Sequence, residues 1–393
     1  MRRLAALLAI LAIATAFGCG APYKLPTETK GPEPIPADGS YGMLATWKGL
    51  DGIQDILLTQ GAGSQLFLLF NHGGTGGPAI PRGDVKLYTF TRPEPIGAPY
   101  FLQPTGLFNP VALAATKDWL FVLDQGDSCL ARYNTTFGTC AAEPSHNNPI
   151  RDFDAWWRVR QYSIGGGNPQ QTFTDTTFAM VFGIAADDAG RVYVSGVAAV
   201  LDTSPTNPNI RTRKFVSRIY RYARGPRYTG LVPDSLNYDW NLLGNPLWHR
   251  DTTWLAFDGT GTSSVSDPQG LTWTNTGAPS LFVADAGNNK VKLISSVSIG
   301  VGYRALDGNE TGANFDHPND VAVDLLGFLY IVDRPNRRVL RYTPAGEYER
   351  LINLEPNSDN LPLLDPVSVG VDDSVAYIAD RGRGEVIRYK RRP

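Results

Sequence analysis

The densest set of residues able to do chemistry lies in "FDHPNDVAVDLLGFLYIVDRPNRRV", from Phe315 to Val339. It joins His317 to Asp316, Asp320, Asp324 and Asp333, and to Arg334, Arg337 and Arg338. A group that titrates near neutrality beside carboxylate oxygens suits general acid–base catalysis or a divalent metal. The rest of the chain offers little to complete such a site. Its 393 residues hold four His (His72, His146, His249 and His317) and three Cys. H-E-x-x-H, C-x-x-C and G-x-S-x-G are all absent, and zinc wants several His or Cys at ordered spacing. "GGTGG" lacks the Lys and helix of a phosphate loop, and "DGTGTSSVSD" lacks calcium-loop spacing.

The Asp that closes "FLYIVD" has counterparts. Asp124, Asp285, Asp333 and Asp380 each end an apolar run, and Tyr133, Ile294, Tyr342 and Tyr389 follow nine residues later. Upstream the order is constant: a Pro, an apolar strand, a turn, then the strand ending in Asp. Two degenerate copies carry Ser195 and Asn71 in place of the acid, making six copies in all. Four equivalent acids are poor candidates for one catalytic carboxylate. Each is expected to hold a corner by accepting backbone N–H bonds from the tight turn that follows.

The elements that position these residues follow from the same runs. "FLYIVD" and "AYIAD" are continuously apolar, so their strands are covered on both faces. Small sheets can achieve that by stacking face to face in a ring. The expected fold is all-β, a six-bladed β-propeller. The last copy has only three strands, and "YGMLATWKG" (41–49) is left over before the first. It is expected to complete the last blade and close the ring, removing an exposed edge.

Phe315, Pro318, Val321, Ala322, Val323, Asp324, Gly327, Leu329, Tyr330, Asp333, Asn336, Arg338 and Val339 together resemble the NHL repeat, and "LDGNETGANF" resembles its inter-blade link. The copies run from about residue 45 to the end. The resemblance implies an NHL-like propeller in which His317 belongs to the repeat. Peptidyl amidating lyases resemble NHL propellers and use metal-binding His at blade starts, where only His317 stands here. Gluconolactonase-like propellers hold a central divalent metal by Glu, Asn and Asp, a set that Asp55, Asn319 and Asp320 match loosely.

The first residues read as a targeting signal. Arg2 and Arg3 precede an apolar run, Leu4 to Ala16, too short to span a bilayer comfortably. "AFGC" resembles a lipobox with Cys19 as the lipidated residue; the alternative is plain secretion with cleavage near Ala21. The expected domains are a signal peptide over 1–18, a Pro-rich tether over 19–40 and the propeller over 41–393. The tether could hold a body up to ~60 Å from the membrane. An exported chain meets oxidising conditions. A hairpin centred on Asn134 and Thr135 would place Cys129 opposite Cys140, within reach of a disulfide. Two buried thiols are the alternative.

Net charge is −2 and the sequence pI about 6.1. Loss of Arg2 and Arg3 would make the charge more negative, so the basic field of a nucleic-acid binder is missing. The basic end "RGRGEVIRYKRRP" reads as a solvated strand edge.

In a propeller the lead into each inner strand and the turn between second and third strands share one rim. "HGGTGGPAIPRG" in the first copy and "VAAVLDTSPTNPNIRTR" in the third therefore crowd one face, as binding loops or as decoration. Candidate binding residues there are His72, Arg211, Arg213, Asn288, Arg334 and Arg381. Asp55, Met180, Gln269, Asn319 and Asp320 are expected near the channel mouth. "DAWWRVRQY" (154–162) reads as an outer strand whose Trp pair either binds sugar or packs between blades. The functional expectation is a membrane-tethered envelope binding or scaffold protein without a cofactor, its partner an unidentified protein or small ligand. The alternative is a lactonase- or amidating-lyase-like enzyme with one divalent metal in the channel.

Overall fold

The computed structural model describes residues 40–392 except 60–63, 73–82, 91–106, 108, 126–156, 174, 176, 204–210, 225–247, 262–263, 275–278, 296–301, 310–313, 354–358, 360 and 373. The expectations for Cys19, Cys129, Cys140 and Trp156 lie outside the described residues.

The chain is a six-bladed β-propeller. Strand β1 (Tyr41–Lys48) comes first. Blade one is β2 (Ile53–Leu58), β3 (Leu66–Asn71) and β4 (Gly83–Tyr88). Blade two is β5 (Pro110–Ala115), β6 (Trp119–Asp124), β7 (Arg158–Ser163) and β8 (Gln171–Phe173). Blade three is β9 (Phe178–Ala186), β10 (Val192–Thr203), β11 (Arg211–Arg224), β12 (Trp248–Asp258) and the short β13 (Ser264–Val265). Blade four is β14 (Pro268–Thr274), β15 (Ser280–Asp285), β16 (Lys290–Ser295) and β17 (Gly302–Leu306). Blade five is β18 (Asp320–Val323), β19 (Leu329–Asp333), β20 (Arg338–Tyr342) and β21 (Tyr348–Leu351). Blade six is β22 (Pro366–Val371), β23 (Val375–Asp380) and β24 (Glu385–Arg391). Among the described residues no helix is long and apolar enough to cross a membrane.

Ring closure is as expected. β1 pairs antiparallel with β24, Tyr41 opposite Arg391 and Lys48 opposite Glu385. The basic end of the chain is therefore not a solvated edge. β1 covers it, and Val386, Ile387 and Tyr389 are buried. The core lies between blades, as continuously apolar strands require. Trp157, Phe178, Tyr222 and Trp248 pack between blades two and three. Tyr41, Tyr330, Val332 and Ile378 pack between blades five and six.

Blade two departs from the nine-residue spacing. The partner of β6 is β7, with Asp124 opposite Arg158, so the third strand is not the run that ends at Tyr133. A long insertion separates Asp124 from that strand, and the chance Tyr at 133 mimicked the period. "DAWWRVRQY" thus supplies the third strand, and Gln171–Phe173 is the outer one. Trp157 packs between blades, donating its indole N–H to the Asp175 carbonyl at 2.8 Å.

The corner acids hold structure, through bonds other than those expected. Asp124 accepts the Asn109 N–H at 2.8 Å, Asp285 that of Ser266 at 2.6 Å and Asp333 that of Asp316 at 2.9 Å. Asp380 accepts from Leu364 at 2.8 Å and Asp365 at 2.9 Å. These donors lie in the lead into the inner strand, not in the following turn. The turns close on their own backbone, Arg337 N–H to the Arg334 carbonyl at 3.0 Å for example. Each acid thus ties the start of a blade to its second strand. Those starts carry Pro110, Pro268 and Pro366 at the first strand residue, where a missing N–H is harmless.

Candidate functional site

The inner strands β2, β5, β9, β14, β18 and β22 enclose an axial channel of about 960 Å³. Five of them carry a register shift near their start: Ile53 to Asp55, Pro110 to Ala112, Phe178 to Met180 with Val181 to Gly183, Pro268 to Leu271 and Pro366 to Ser368. A bulge adds an unpaired residue and re-aims its neighbours. At the rim of the corner acids Asp55 and Ser368, each just after such a bulge, meet Asp320, whose strand β18 pairs without a shift, so that blades one, six and five converge.

The geometry of this group is tight. Ser368 Oγ donates to Asp55 Oδ1 at 2.6 Å. Asp55 Oδ1 also accepts the Ile56 N–H at 2.8 Å, and Oδ2 accepts the Leu113 N–H at 2.7 Å from blade two. Asp320 Oδ2 accepts the Val369 N–H at 3.1 Å. Asn319 donates its amide to the Val367 carbonyl at 2.6 Å. Blade four approaches so closely that a Cβ on Gly270 would meet Asp320 Oδ1 at 2.4 Å. Burial pushes the Asp55 carboxyl above the ordinary range. Burial first, and then the charge of Asp55, push Asp320 up to about 8. At neutral pH Asp320 is therefore mostly protonated.

Several polar atoms of this group are bound to protein. Both Asp55 oxygens are taken by backbone N–H groups and a hydroxyl. The Asn319 side chain is engaged in bridging blades five and six. Among the described residues no group of three or more His, Cys, Asp or Glu is placed to hold a metal ion.

The other candidates separate into roles. Gln269 lines the channel with Asp55, Asn319 and Asp320. Met180 does not line it; it is exposed on β9, opposite Val197. Arg334 and Arg381 clamp Asp365, with Arg334 Nε to Asp365 Oδ1 at 2.5 Å and Arg381 Nη2 to Oδ2 at 3.0 Å. Burial alone would raise the Asp365 carboxyl, but these two arginines hold it below the ordinary range. Arg381 also donates to Gln54 Oε1 at 3.1 Å across the seam between blades six and one. Asn288 donates to Asp285 Oδ2 at 2.7 Å and so belongs to its corner. His72 stacks on Phe70 and meets Asp84 at 3.3 Å. His317 is exposed against Asp316.

Arg211 and Arg213 stand on an unexpected element. The blade-three insertion is a β-ribbon rather than a loop, pairing β10 with β11 out to Thr203 opposite Arg211. Ser195 marks the corner position on β10; β9 backs the ribbon as far as Ala198 opposite Phe178, and five further pairs extend beyond it, roughly 17 Å at strand rise. Phe215 is 51% exposed on this ribbon.

Ser368 and Asp365 were missed in the sequence. The signal for Ser368 was its place two residues after Pro366, the position Asp320 holds after Pro318 and Gly270 after Pro268.

No protein-family model matches the chain, and no curated protein matches it. Solved structures do match in fold. A gluconolactonase from Xanthomonas campestris aligns over 93% of this chain and 100% of its own, at 12% identity and TM-score 0.45. Virginiamycin B lyase from Staphylococcus aureus, with quinupristin bound, aligns over 93% and 98%, at 10% identity and TM-score 0.44. A Bacteroides caccae protein of unknown function aligns over 80% and 82%, at 10% identity and TM-score 0.42.

Proposed function

We propose that this chain is a membrane-tethered binding protein of the bacterial cell envelope, an NHL-like propeller that presents one rim to a partner protein or small ligand. The observation that carries this reading is the ribbon of β10 and β11, whose outer pairs, from Ala199–Phe215 to Thr203–Arg211, continue as ordered strand beyond the last residue paired with β9. The insertions of blades one and two leave the ring at the same rim, after Asn71 and Asp124. Acids that could do chemistry are instead committed to backbone: the corner set to blade starts, Asp55 and Asp320 to neighbouring inner strands. That commitment favours binding over the alternative of a metal-dependent lactonase- or lyase-like enzyme.

The test removes residues 200–214 and closes β10 to β11 with a two-residue turn. The ring should fold with its thermal midpoint nearly unchanged. In-cell crosslinking in the native envelope should lose a species that the intact protein forms. An unchanged crosslinking pattern would reject the ribbon as the binding element. A stoichiometric divalent ion, released only by strong chelator, would replace the binding reading with the enzymatic one.

A further inference from the structure

The rim opposite the corner acids carries a different kind of surface. The turn from Asp324 to Gly327 joins β18 to β19 there. Leu325 and Leu326 sit at its tip, 52% and 55% exposed. The turn is rigid rather than frayed. Asp324 Oδ1 accepts the Leu326 N–H at 3.0 Å and the Phe328 N–H at 2.9 Å. Asp324 Oδ2 accepts from Tyr330 Oη at 3.2 Å.

The same Tyr330 shares a 2.7 Å hydrogen bond with Tyr41, the first residue of β1. The chain from the N-terminal segment therefore enters the propeller beside the two leucines. Along that edge β24 ends in Lys390 and Arg391, opposite Gly42 and Tyr41. Arg392 follows, its guanidinium on Ser40 Oγ at 3.2 Å. Lys390 is exposed, and Arg391 and Arg392 are half-buried. Asp324 itself lies in the turn, and other turns of the same rim carry Asp118, Asp188, Glu347 and Asp372, the last capping its own turn by accepting from Ser374 and Val375. Aliphatic tips beside a basic edge match a bilayer bearing anionic headgroups: the leucines enter the acyl boundary and the cations stay at the headgroups.

We propose that this rim, through Leu325 and Leu326 with Lys390 and Arg391, docks on an anionic lipid surface, leaving the ribbon rim facing away from the membrane. The proposal rests on the tethered reading above. About 20 residues separate Cys19 from Ser40, which confines this face within ~60 Å of the bilayer even at full extension. At that range a weak contact suffices, because binding is intramolecular.

The experiment places an environment-sensitive fluorescent amino acid at Leu326, or at Arg334 on the opposite rim, in the full chain purified from membranes. Each protein is reconstituted in phosphatidylcholine vesicles with or without one quarter phosphatidylglycerol. Docking predicts a blue shift, and quenching by bilayer-buried quenchers, at 326 and not at 334. The shift should be stronger with phosphatidylglycerol and should fall at least twofold in Lys390→Gln/Arg391→Gln. Circular dichroism verifies that this variant folds. Equal, water-like emission at both positions, with Cys19 lipidated by mass spectrometry, would overturn the docking face and leave the tether intact. An unmodified Cys19 would reject the tether. The same comparison on the unlipidated chain then decides the face, a 326-specific shift supporting it and its absence overturning it.

Discussion

Ser368 donates its hydroxyl to Asp55 at 2.6 Å across 313 positions of sequence, joining the inner strand of the last blade to that of the first. The bond sits where a propeller is weakest, at the seam between its first and last blades. Other contacts cross the same seam, among them the Leu50 N–H to the Gly384 carbonyl at 2.8 Å and Arg381 to Gln54. Asp320 extends the latch to blade five through the Val369 N–H.

The latch makes stability depend on pH. Asp320 titrates near 3.8 when unfolded and about 8 when folded. The folded state thus holds a proton that the unfolded state releases. The contribution is fully present below about pH 4, is lost as pH rises toward 8, and is flat above. Two to three pH units of this window are worth on the order of 3 kcal/mol. Asp320→Asn should flatten the curve and be at least as stable as the native protein at pH 8. Urea midpoints from pH 4 to 9 measure this; parallel curves for the two proteins would reject the assignment.

Removing the bridging hydroxyl isolates the second component. In Ser368→Ala the Asp55 carboxylate loses one donor and the Ile56 N–H loses a nearby acceptor. A loss of about 1–3 kcal/mol is expected, seen as a lower urea midpoint with unchanged slope.

The corner acids and the histidine beside them should behave oppositely. Asp333 is fully buried and accepts from the Asp316 N–H, Asn336 and Arg338. Asp333→Ala strands these donors and should cost about 3–5 kcal/mol. His317→Ala, at an exposed site, should stay within about 0.5 kcal/mol. Equal effects would mean the corner reading is wrong.

Closure by β1 should be indispensable. Trp47 is fully buried, stacked on Tyr88 at 5.8 Å with the Arg388 guanidinium 5.1 Å from its ring. Trp47→Ala should cost about 3–5 kcal/mol. Deleting residues 41–48 exposes the β24 edge and should give aggregates by size exclusion. A monomeric, folded product would refute closure by this strand.

The sequence by itself determined the blade count, the strand that closes the ring and the structural role of the repeated acids. Those properties rest on local patterns, because an apolar run and a Pro before a strand act through neighbours close in sequence. Tertiary structure alone decided the rest. The Asp55–Ser368–Asp320 group is built from three blades; the sequence pointed to Asp55 and Asp320 near the channel but not to Ser368 or to the bonds that join them. Bulges at the strand starts re-aim Asp55 and Ser368, and no residue pattern announces a bulge. The third strand of blade two misled for a related reason. Pairing is chosen by register against β6, and Arg158 through Ser163 fit that register while a nine-residue count did not. Where the N-terminal segment joins the ring emerged only once Tyr41 met Tyr330.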